Sequence, residues 1–418
     1  MWWPENTAQI EPMKEISSAM EQQILHQFRN KVSKMLTPAH TDIILLKFLK
    51  AQNYDLNKCK SILQETISLR AVHDIDKLVE FYKKPEVLEK YEFVSSMGYA
   101  KDGTPICYVA SGKADFYGCI ASVNGFTLCQ YASLVLELDL RRTREQTKKT
   151  GQDINEITYI LDMDEFSIRT TARQCAIEMA FDLFRMLQDY YPEIWKKTLI
   201  VNASSLFYKA FNFFKPILRG SLLQNISVAS KETTPELLLK YIDADVLPVF
   251  LGGKRVDSKG DPKCREFLKF GGVVPEESYA ARRPLLVPTD PGMCSILVRP
   301  RSCYNYPLVV KEANSRLLVD MRTEGGSIAT TILFREFGSD PNIPDLPPSD
   351  AYLNENDERC NVRLVSPCVK LQLHLAQAEG VYCGAPWPGI YIFRFDNTGN
   401  WINGRRLIYR LQVIPPKS

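Results

Sequence analysis

The stretch that decides the fold runs from Tyr190 to Ser230 and reads YYPEIWKKTLIVNASSLFYKAFNFFKPILRGSLLQNISVAS. Near its start, Pro192 stops the preceding helix, and the chain continues as a buried type of strand over residues 198–203. An aromatic-rich helical segment follows, and a second strand-like run covers residues 225–229. The stretch therefore predicts a strand-helix-strand unit.

The helical segment of this unit carries apolar residues on more than one side. Its polar positions fall on one narrow line at helical spacing, and they are Lys209, Asn212, Lys215 and Arg219. Such a helix has more apolar surface than one face of a globular protein needs. Pro216 cannot continue the helix and predicts a hinge there. The pattern fits two arrangements: a crossover helix buried between a sheet and another helix, or a lid between an apolar ligand and a membrane.

Composition excludes several classes of protein. The 418 residues include 52 basic and 49 acidic side chains, a formal charge of +3, which argues against a nucleic-acid partner. Eleven cysteines without a CxxC pair, with only four histidines, predict reduced cytosolic thiols and no metal site. The first residues lack the basic and apolar segments of a signal peptide, and no apolar run approaches the ~18 residues of a membrane span. We therefore expect a cytoplasmic protein.

The pattern along the chain predicts four parts. Residues 15–84 read as a small helical lobe, in which Ile44, Leu45, Phe48 and Leu49 should face a core. Residues 85–255 alternate strands and helices, which predicts an α/β sheet with parallel strands at its centre. Residues 256–290 are rich in Pro, Gly and charge and read as a linker with little apolar sequence to couple its neighbours. Residues 291–416 contain short β-type runs and predict an all-β sandwich.

One helix of the α/β part, residues 171–190, has a regular amphipathic pattern. Its polar residues recur at helical spacing and are Glu178, Asp182, Arg185 and Asp189. This pattern predicts a surface helix whose polar face meets solvent.

The sequence contains no signature of an enzyme. GxSxG, Walker, GxGxxG, HExxH and kinase motifs are absent. The acidic group Asp162, Asp164 and Glu165 follows a strand, where turn and capping roles account for it. We expect no catalytic activity, no cofactor and no metal.

Several short motifs, in a fixed order, resemble one known family. They are LLKFLKA at Leu45, DLNKCK at Asp55, DGTP at Asp102, ILDM at Ile160, YYPE at Tyr190, FKP at Phe214 and LPVFLGG at Leu247. Together they resemble the CRAL-TRIO lipid-transfer family, including its N-terminal helical lobe. Further on, GDPKC at Gly260 and PGIYIFRFDNT at Pro388 resemble the GOLD domain that follows CRAL-TRIO in the supernatant protein factor group.

The resemblance implies an α/β bowl that encloses one lipid and is closed by the aromatic helix acting as a gate. It therefore favours the lid over the crossover helix. The lipid-binding residues it implies are Ile157, Tyr159, Leu161, Phe181, Glu193, Phe207, Phe211 and Phe214. The gate residues it implies are Leu206, Phe207, Phe211, Phe214, Pro216 and Leu218.

The resemblance also bears on the cargo. Members that carry phosphatidylinositol use the YYPE glutamate, here Glu193, with a threonine and a lysine after the gate, but this chain has Leu222 and Asn225 there. The serine and threonine used for choline lipids fall on Ile157 and Tyr159. Among phospholipids, tocopherols, sterol precursors, retinoids and other isoprenoids, these departures favour the less polar molecules.

Two functions follow from the resemblance. The first is a cytosolic carrier that exchanges or presents one hydrophobic lipid at membranes, which it contacts transiently. The alternative is a lipid-sensing adaptor in trafficking or signalling, whose GOLD-like domain binds a protein partner.

Overall fold

The computed structural model describes residues 17–166, 173–214, 221–337, 349, 353 and 361–416. Its N-terminal lobe contains three main helices, α1 (Ser18–Val32), α2 (Asp42–Ala51) and α3 (Leu56–Val72). Two short helices follow, α4 (Leu78–Phe81) and α5 (Glu86–Lys90). The lobe packs around Phe28, Leu45 and Leu63. Ile44 was expected in this core but is 37% exposed, because α2 turns that side away from α1 and α3.

A five-stranded sheet forms the centre of the next part. Its strands are β1 (Val94–Tyr99), β2 (Pro105–Val109), β3 (Ile157–Asp162), β4 (Trp195–Val201) and β5 (Ile226–Val228), in the order β1-β2-β3-β4-β5. β1 and β2 form the expected hairpin, with Gly103 at φ +82° in its turn. The pairs β2–β3, β3–β4 and β4–β5 are parallel, as the strand-helix-strand pattern predicted.

Helices cover both faces of this sheet. They are α6 (Phe116–Ser122), α7 (Gly125–Thr150), α8 (Gln174–Tyr190), α9 (Ser205–Phe214), α10 (Ser221–Gln224) and α11 (Thr234–Tyr241). On one face Leu238 of α11 packs with Ile160 and Leu199. On the other face Leu136 of α7 and Met186 of α8 pack against Ile157. Burial on both faces explains why the parallel strands are rich in Ile, Leu and Val.

The segment expected to be a linker packs against the α/β part over much of its length. Cys264 and Leu268 are buried with Leu247 and Leu251 in the core beside α11. Val274 is buried in another core, and its amide donates to Asp115. Residues 264–274 therefore belong to the α/β part, because a few apolar side chains anchor them in its cores.

The C-terminal part is a sandwich of two four-stranded antiparallel sheets. One sheet has the order β10-β9-β12-β7 and the other β11-β8-β13-β6. The strands are β6 (Cys294–Val298), β7 (Cys303–Val310), β8 (Ser315–Glu324), β9 (Ile328–Arg335), β10 (Arg363–Leu371), β11 (Val381–Ala385), β12 (Gly389–Asp396) and β13 (Arg405–Ile414). Tyr391, Phe393 and Phe395 are fully buried in the core between the sheets. The all-β expectation for this region is confirmed.

The sandwich docks on α3, α7 and α8 through strand β10. Val72 of α3 and Phe126 of α7 belong to the same buried cluster as the sandwich core. The Phe126 ring lies 3.7 Å, centroid to centroid, from that of Tyr382. The two cores are thus coupled by direct side-chain packing, so the sandwich is not an independent appendage on a loose linker.

This docking corrects the expectation for α8. Its polar face was expected to meet solvent, but Asp182 accepts a hydrogen bond from the backbone amide of Lys370 at 2.6 Å. Arg185 donates to the carbonyl of Cys368 at 2.5 Å. An amphipathic pattern specifies a polar face, but a partner that supplies matched polar groups can bury that face.

Candidate binding site

The face of the sheet towards α7, α8 and α9 presents its side chains in two rows across four strands. Strand register aligns Cys107, Tyr159, Thr198 and Ile226 in the first row. It aligns Val109, Leu161, Ile200 and Val228 in the second row, nearer the carboxyl ends of the parallel strands. The first row contains hydroxyl and thiol groups, whereas the second is wholly apolar. This face therefore has a polar and an apolar end.

Helix α9 lies over the apolar row. Phe207 is buried with Met163, Ile200 and Ala203, and Phe211 stacks on Phe207 with 5.7 Å between ring centroids. The half-buried side chains beside this contact are Leu161, Ile226 and Val228. These side chains beside α9 thus keep part of their apolar surface accessible, and burial of that surface by a ligand would be favourable.

The two flanks of α9 expose large side chains. Leu206 is 40% and Tyr208 is 41% exposed. Because Phe207 between them is buried, the apolar surface of α9 extends from its inner side to both flanks, while the exposed Lys209 and Asn212 lie on its outer side. The described side chains of α9 thus show the wide apolar surface and the narrow polar line read from the sequence.

At the polar end of this sheet face, some polar side chains already form hydrogen bonds within the protein. Asp139 of α7 is 1% exposed, pairs with Arg142 and accepts a hydrogen bond from the Tyr159 hydroxyl at 3.3 Å. Burial raises the pKa of Asp139, opposed by the Arg142 guanidinium. Burial and the neighbouring Asp139 raise the pKa of Tyr159 well above its usual value. The phenol therefore stays protonated and is held by the protein.

Two polar atoms at this end lack a partner in the described part of the chain. Thr198 Oγ1 and the indole Nε1 of Trp195 are buried there without a hydrogen bond. The Trp195 ring packs on Tyr159 at 4.6 Å between centroids, which places both near the first row. A buried polar atom without a partner is costly, so these atoms are candidates to meet a polar group of a ligand.

The residues selected from the sequence, apart from Leu206 and Glu193, fall into four groups. Ile157 and Tyr159 are buried by α7 and α8, so in this structure they are core residues. Leu161, Phe207 and Phe211 come together beneath α9. Phe181 is half-buried on α8. The side chain of Phe214, together with Pro216 and Leu218, lies outside the described residues.

Glu193 lies at the other end of β4 from α9. It precedes β4 with φ +51° and is half-buried, and the strand of seven residues separates it from the gate by about 23 Å. Its charge acts instead on Lys47 of the helical lobe. Burial lowers the pKa of Lys47 to about 8, while Glu156 and Glu193 oppose this shift. Glu193 therefore lies apart from Leu206, Phe207 and Phe211, the expected gate residues whose side chains the structure describes.

Sequence reasoning did not identify Thr198 or Trp195. Lys197 Nζ lies 3.5 Å from Asn225 Oδ1, but Lys197 pairs with Thr158 and lies 6.0 Å from the centroid of the Tyr241 ring, on the sheet face away from α9. The alternation of Thr198 and Ile200 along β4 could have indicated that both belong to the sheet face with the two rows, which we call the floor of the site. The β-bulge between Trp195 and Lys197 hides the indole from such a pattern.

Comparison with known proteins gives a consistent assignment for the α/β part. Residues 89–253 match the model of the CRAL/TRIO domain. Residues 89–253 form a CRAL/TRIO domain. The match implies a lipid-binding or lipid-transfer protein, and the two-row sheet face lies within the CRAL/TRIO domain.

Similarity also extends beyond the CRAL/TRIO domain. Protein ctg-1 of Caenorhabditis elegans is 23% identical over 398 residues, which cover 95% of this chain and 97% of that protein. The crystal structure of Sfh5 matches with a TM-score of 0.45 at 14% identity, over 60% of this chain and 92% of that chain. With a TM-score this low, the assignment rests on the match to the CRAL/TRIO model.

In the part of the chain that the structure describes, no helix has the length and apolar character needed to cross a membrane. Among the same residues, no group of three His, Cys, Asp or Glu side chains is arranged to hold a metal ion.

Proposed function

We propose that this protein is a cytoplasmic carrier that binds one hydrophobic lipid between the sheet and α9 and exchanges or presents it at membranes. The observation that carries the proposal is the half-buried apolar surface formed by Leu161, Phe211, Ile226 and Val228. Each methylene of a lipid moved from water to such a surface gains about 0.8 kcal/mol. A chain of ten carbons thus supplies enough free energy for stable binding.

The two rows give the cargo an orientation. Its apolar part lies over the row of Leu161, Ile200 and Val228, and its polar group meets the hydroxyl of Thr198. The hydroxyl of Thr198 and the indole of Trp195 suit a cargo with one small polar group, such as a tocopherol or another isoprenoid alcohol. A phospholipid headgroup would need charged partners near Thr198, whereas Lys197 pairs with Thr158 and lies on the opposite face of the sheet.

Exchange at a membrane is supported by the exposed flanks of α9. Leu206 and Tyr208 expose apolar surface that a bilayer interface would cover when the helix swings outward. In this proposal the protein binds and releases lipid and performs no catalytic step.

The test is lipid analysis of the purified full chain and of a variant in which a large side chain fills the site. We expect about one equivalent of a single lipid class by mass spectrometry of an organic extract. Val228→Trp should lose this lipid because the indole occupies the floor. Val249→Trp is the matched control, because Val249 is 43% exposed and lies away from the floor. A folded wild-type chain that neither carries nor takes up lipid would contradict the proposal.

The docked sandwich supports a second candidate, a lipid-sensing adaptor. Because β10 contacts α8, which also covers the lipid-facing side of the sheet, occupancy of the site can affect the sandwich. The sandwich would then be a GOLD-like domain that captures a protein partner. Capture that depends on lipid, with no transfer between vesicles, would favour the adaptor over the carrier.

A further inference from the structure

Two adjacent large apolar side chains protrude from the tip of the sandwich. Trp401 is 69% and Ile402 is 85% exposed in the turn between β12 and β13. Leu297 on the neighbouring strand β6 is 55% exposed and lies against Gly404, where a Cβ would meet its Cδ1 at 3.0 Å. We call Leu297, Trp401 and Ile402 the apolar tip.

The backbone beneath the apolar tip is held in place by Asn397. This side chain is 1% exposed, and its amide nitrogen lies 3.0–3.2 Å from the carbonyls of Val298, Arg299 and Asn403. The amide of Arg301 donates to the carbonyl of Asn400 at 2.9 Å. These bonds join the β6–β7 and β12–β13 turns, so the exposure of Trp401 and Ile402 is built into an ordered scaffold.

The surroundings of the apolar tip are basic. The Arg301 guanidinium lies 4.4 Å from the centroid of the Trp401 ring, and both Arg299 and Arg301 are exposed. The two turns, residues 299–302 and 397–404, contain no acidic residue. The adjacent Asp396 accepts hydrogen bonds from the backbone amide and hydroxyl of Thr398. The tip thus combines apolar side chains with positive charge.

We propose that the apolar tip is a membrane anchor that inserts into the interfacial layer of a bilayer containing anionic lipid. Tryptophan favours the headgroup region, and arginines beside it attract anionic headgroups. A protruding tip of three apolar residues suits a lipid surface better than a protein partner, which needs about 800 Å² of complementary surface on each side. This surface is separate from the lipid site beneath α9.

The experiment measures co-sedimentation of the full chain with vesicles of phosphatidylcholine, with and without 30% phosphatidylserine. We expect Trp401→Ala/Ile402→Ala to bind anionic vesicles about tenfold more weakly, because the inserted side chains are lost. Arg299→Gln/Arg301→Gln should weaken binding to anionic vesicles by about fivefold for each positive charge removed. Binding to vesicles of phosphatidylcholine alone should not change. Phe81→Ala/Val273→Ala is the matched control, since these residues are 75% and 78% exposed but lie elsewhere.

Brominated lipids supply a second readout. Vesicles that carry them should quench the wild-type tryptophan emission more than that of Trp401→Phe. Equal quenching, or wild-type binding by the Trp401→Ala/Ile402→Ala variant, would overturn the proposal. Unchanged vesicle binding with loss of a protein partner would also overturn it and assign the tip to that partner.

The lipid content of the same variants separates this proposal from the carrier proposal. Loss of vesicle binding with full lipid content supports the anchor. A wild-type chain without lipid that still binds vesicles through the tip contradicts only the carrier.

Discussion

The ammonium group of Lys370 on β10 lies 2.6 Å from the Glu178 carboxylate on α8, across the contact between sandwich and CRAL/TRIO domain. The amide of Gln372 donates to the second oxygen of the same carboxylate at 2.9 Å. The Lys370 ammonium is among the groups that lower the pKa of Glu178 against the opposing effect of burial. The ionised carboxylate of Glu178 therefore links the CRAL/TRIO domain to the sandwich.

We expect Lys370→Met to destabilise the full chain by about 1–3 kcal/mol, because it leaves the Glu178 carboxylate, 16% exposed, without its ion pair. The matched control is Lys240→Met, whose partner Glu236 is 74% exposed. That change should cost about 0.5 kcal/mol or less. Thermal and urea unfolding measure both, and equal effects would show that the interdomain pair adds nothing.

The gating role proposed for α9 can be tested with two neighbouring residues, one buried and one exposed. Phe207→Asp places a carboxylate among Met163 and Ile200, where a buried charge costs several kcal/mol unless the helix moves outward. We expect this variant to lose its co-purifying lipid but to melt cooperatively. Leu206→Asp, on the exposed side, should keep the lipid. Global unfolding of Phe207→Asp would instead indicate a fixed crossover helix.

Thr198→Val tests the polar end of the floor. Removing a hydroxyl that has no partner among the described residues should leave stability unchanged or slightly higher. If the hydroxyl binds the polar group of the cargo, lipid retention should fall about fivefold to tenfold. Thr158→Val is the control, since its hydroxyl bonds Thr104 at 2.9 Å, on the opposite face of the sheet. That variant should lose stability and keep its lipid; equal retention in both variants would contradict the assignment.

We expect His73, at the domain contact, to make stability depend on pH. Its ring lies 3.0 Å from the Ser366 hydroxyl and packs edge-on against Tyr382. Burial lowers the pKa of His73 to about 4, partly opposed by Asp74. Because the unfolded residue titrates near pH 6.5, the unfolded chain binds more protons between pH 6.5 and 4.

The contribution of neutral His73 to the free energy of unfolding is therefore fully present above about pH 6.5 and is lost as the pH falls towards 4. We expect a loss of up to about 3 kcal/mol across this window, reduced by the partial exposure of the ring. His73→Gln should flatten the dependence, as measured by urea unfolding at several pH values. An unchanged slope in the variant would assign the dependence to other groups.

The order of elements could be predicted from local signals. Turn residues such as Asp102-Gly103, continuous apolar strands and the regular spacing of Glu178, Asp182 and Arg185 report secondary structure directly. The apolar character of α9 on both sides was also visible, because helical periodicity places Phe207 and Leu206 on different faces.

What covers each face could not be read from the sequence. The polar side of α8 looks like a solvent-facing surface until Lys370 and Cys368, almost two hundred residues later in the chain, are placed against it. In the same way, Ile157 reads as a binding residue until α7 closes over it.

By itself the sequence determined the kind of each element, the motif order of a CRAL/TRIO domain and the all-β character of the C-terminal region, because these depend on neighbours along the chain. Only the tertiary structure decided that Tyr159 and Thr198 share a row, that Glu193 lies a strand away from α9 and that the sandwich packs on α8. The physical reason is that strand register and domain contacts join residues distant in the chain, and no local pattern specifies those partners.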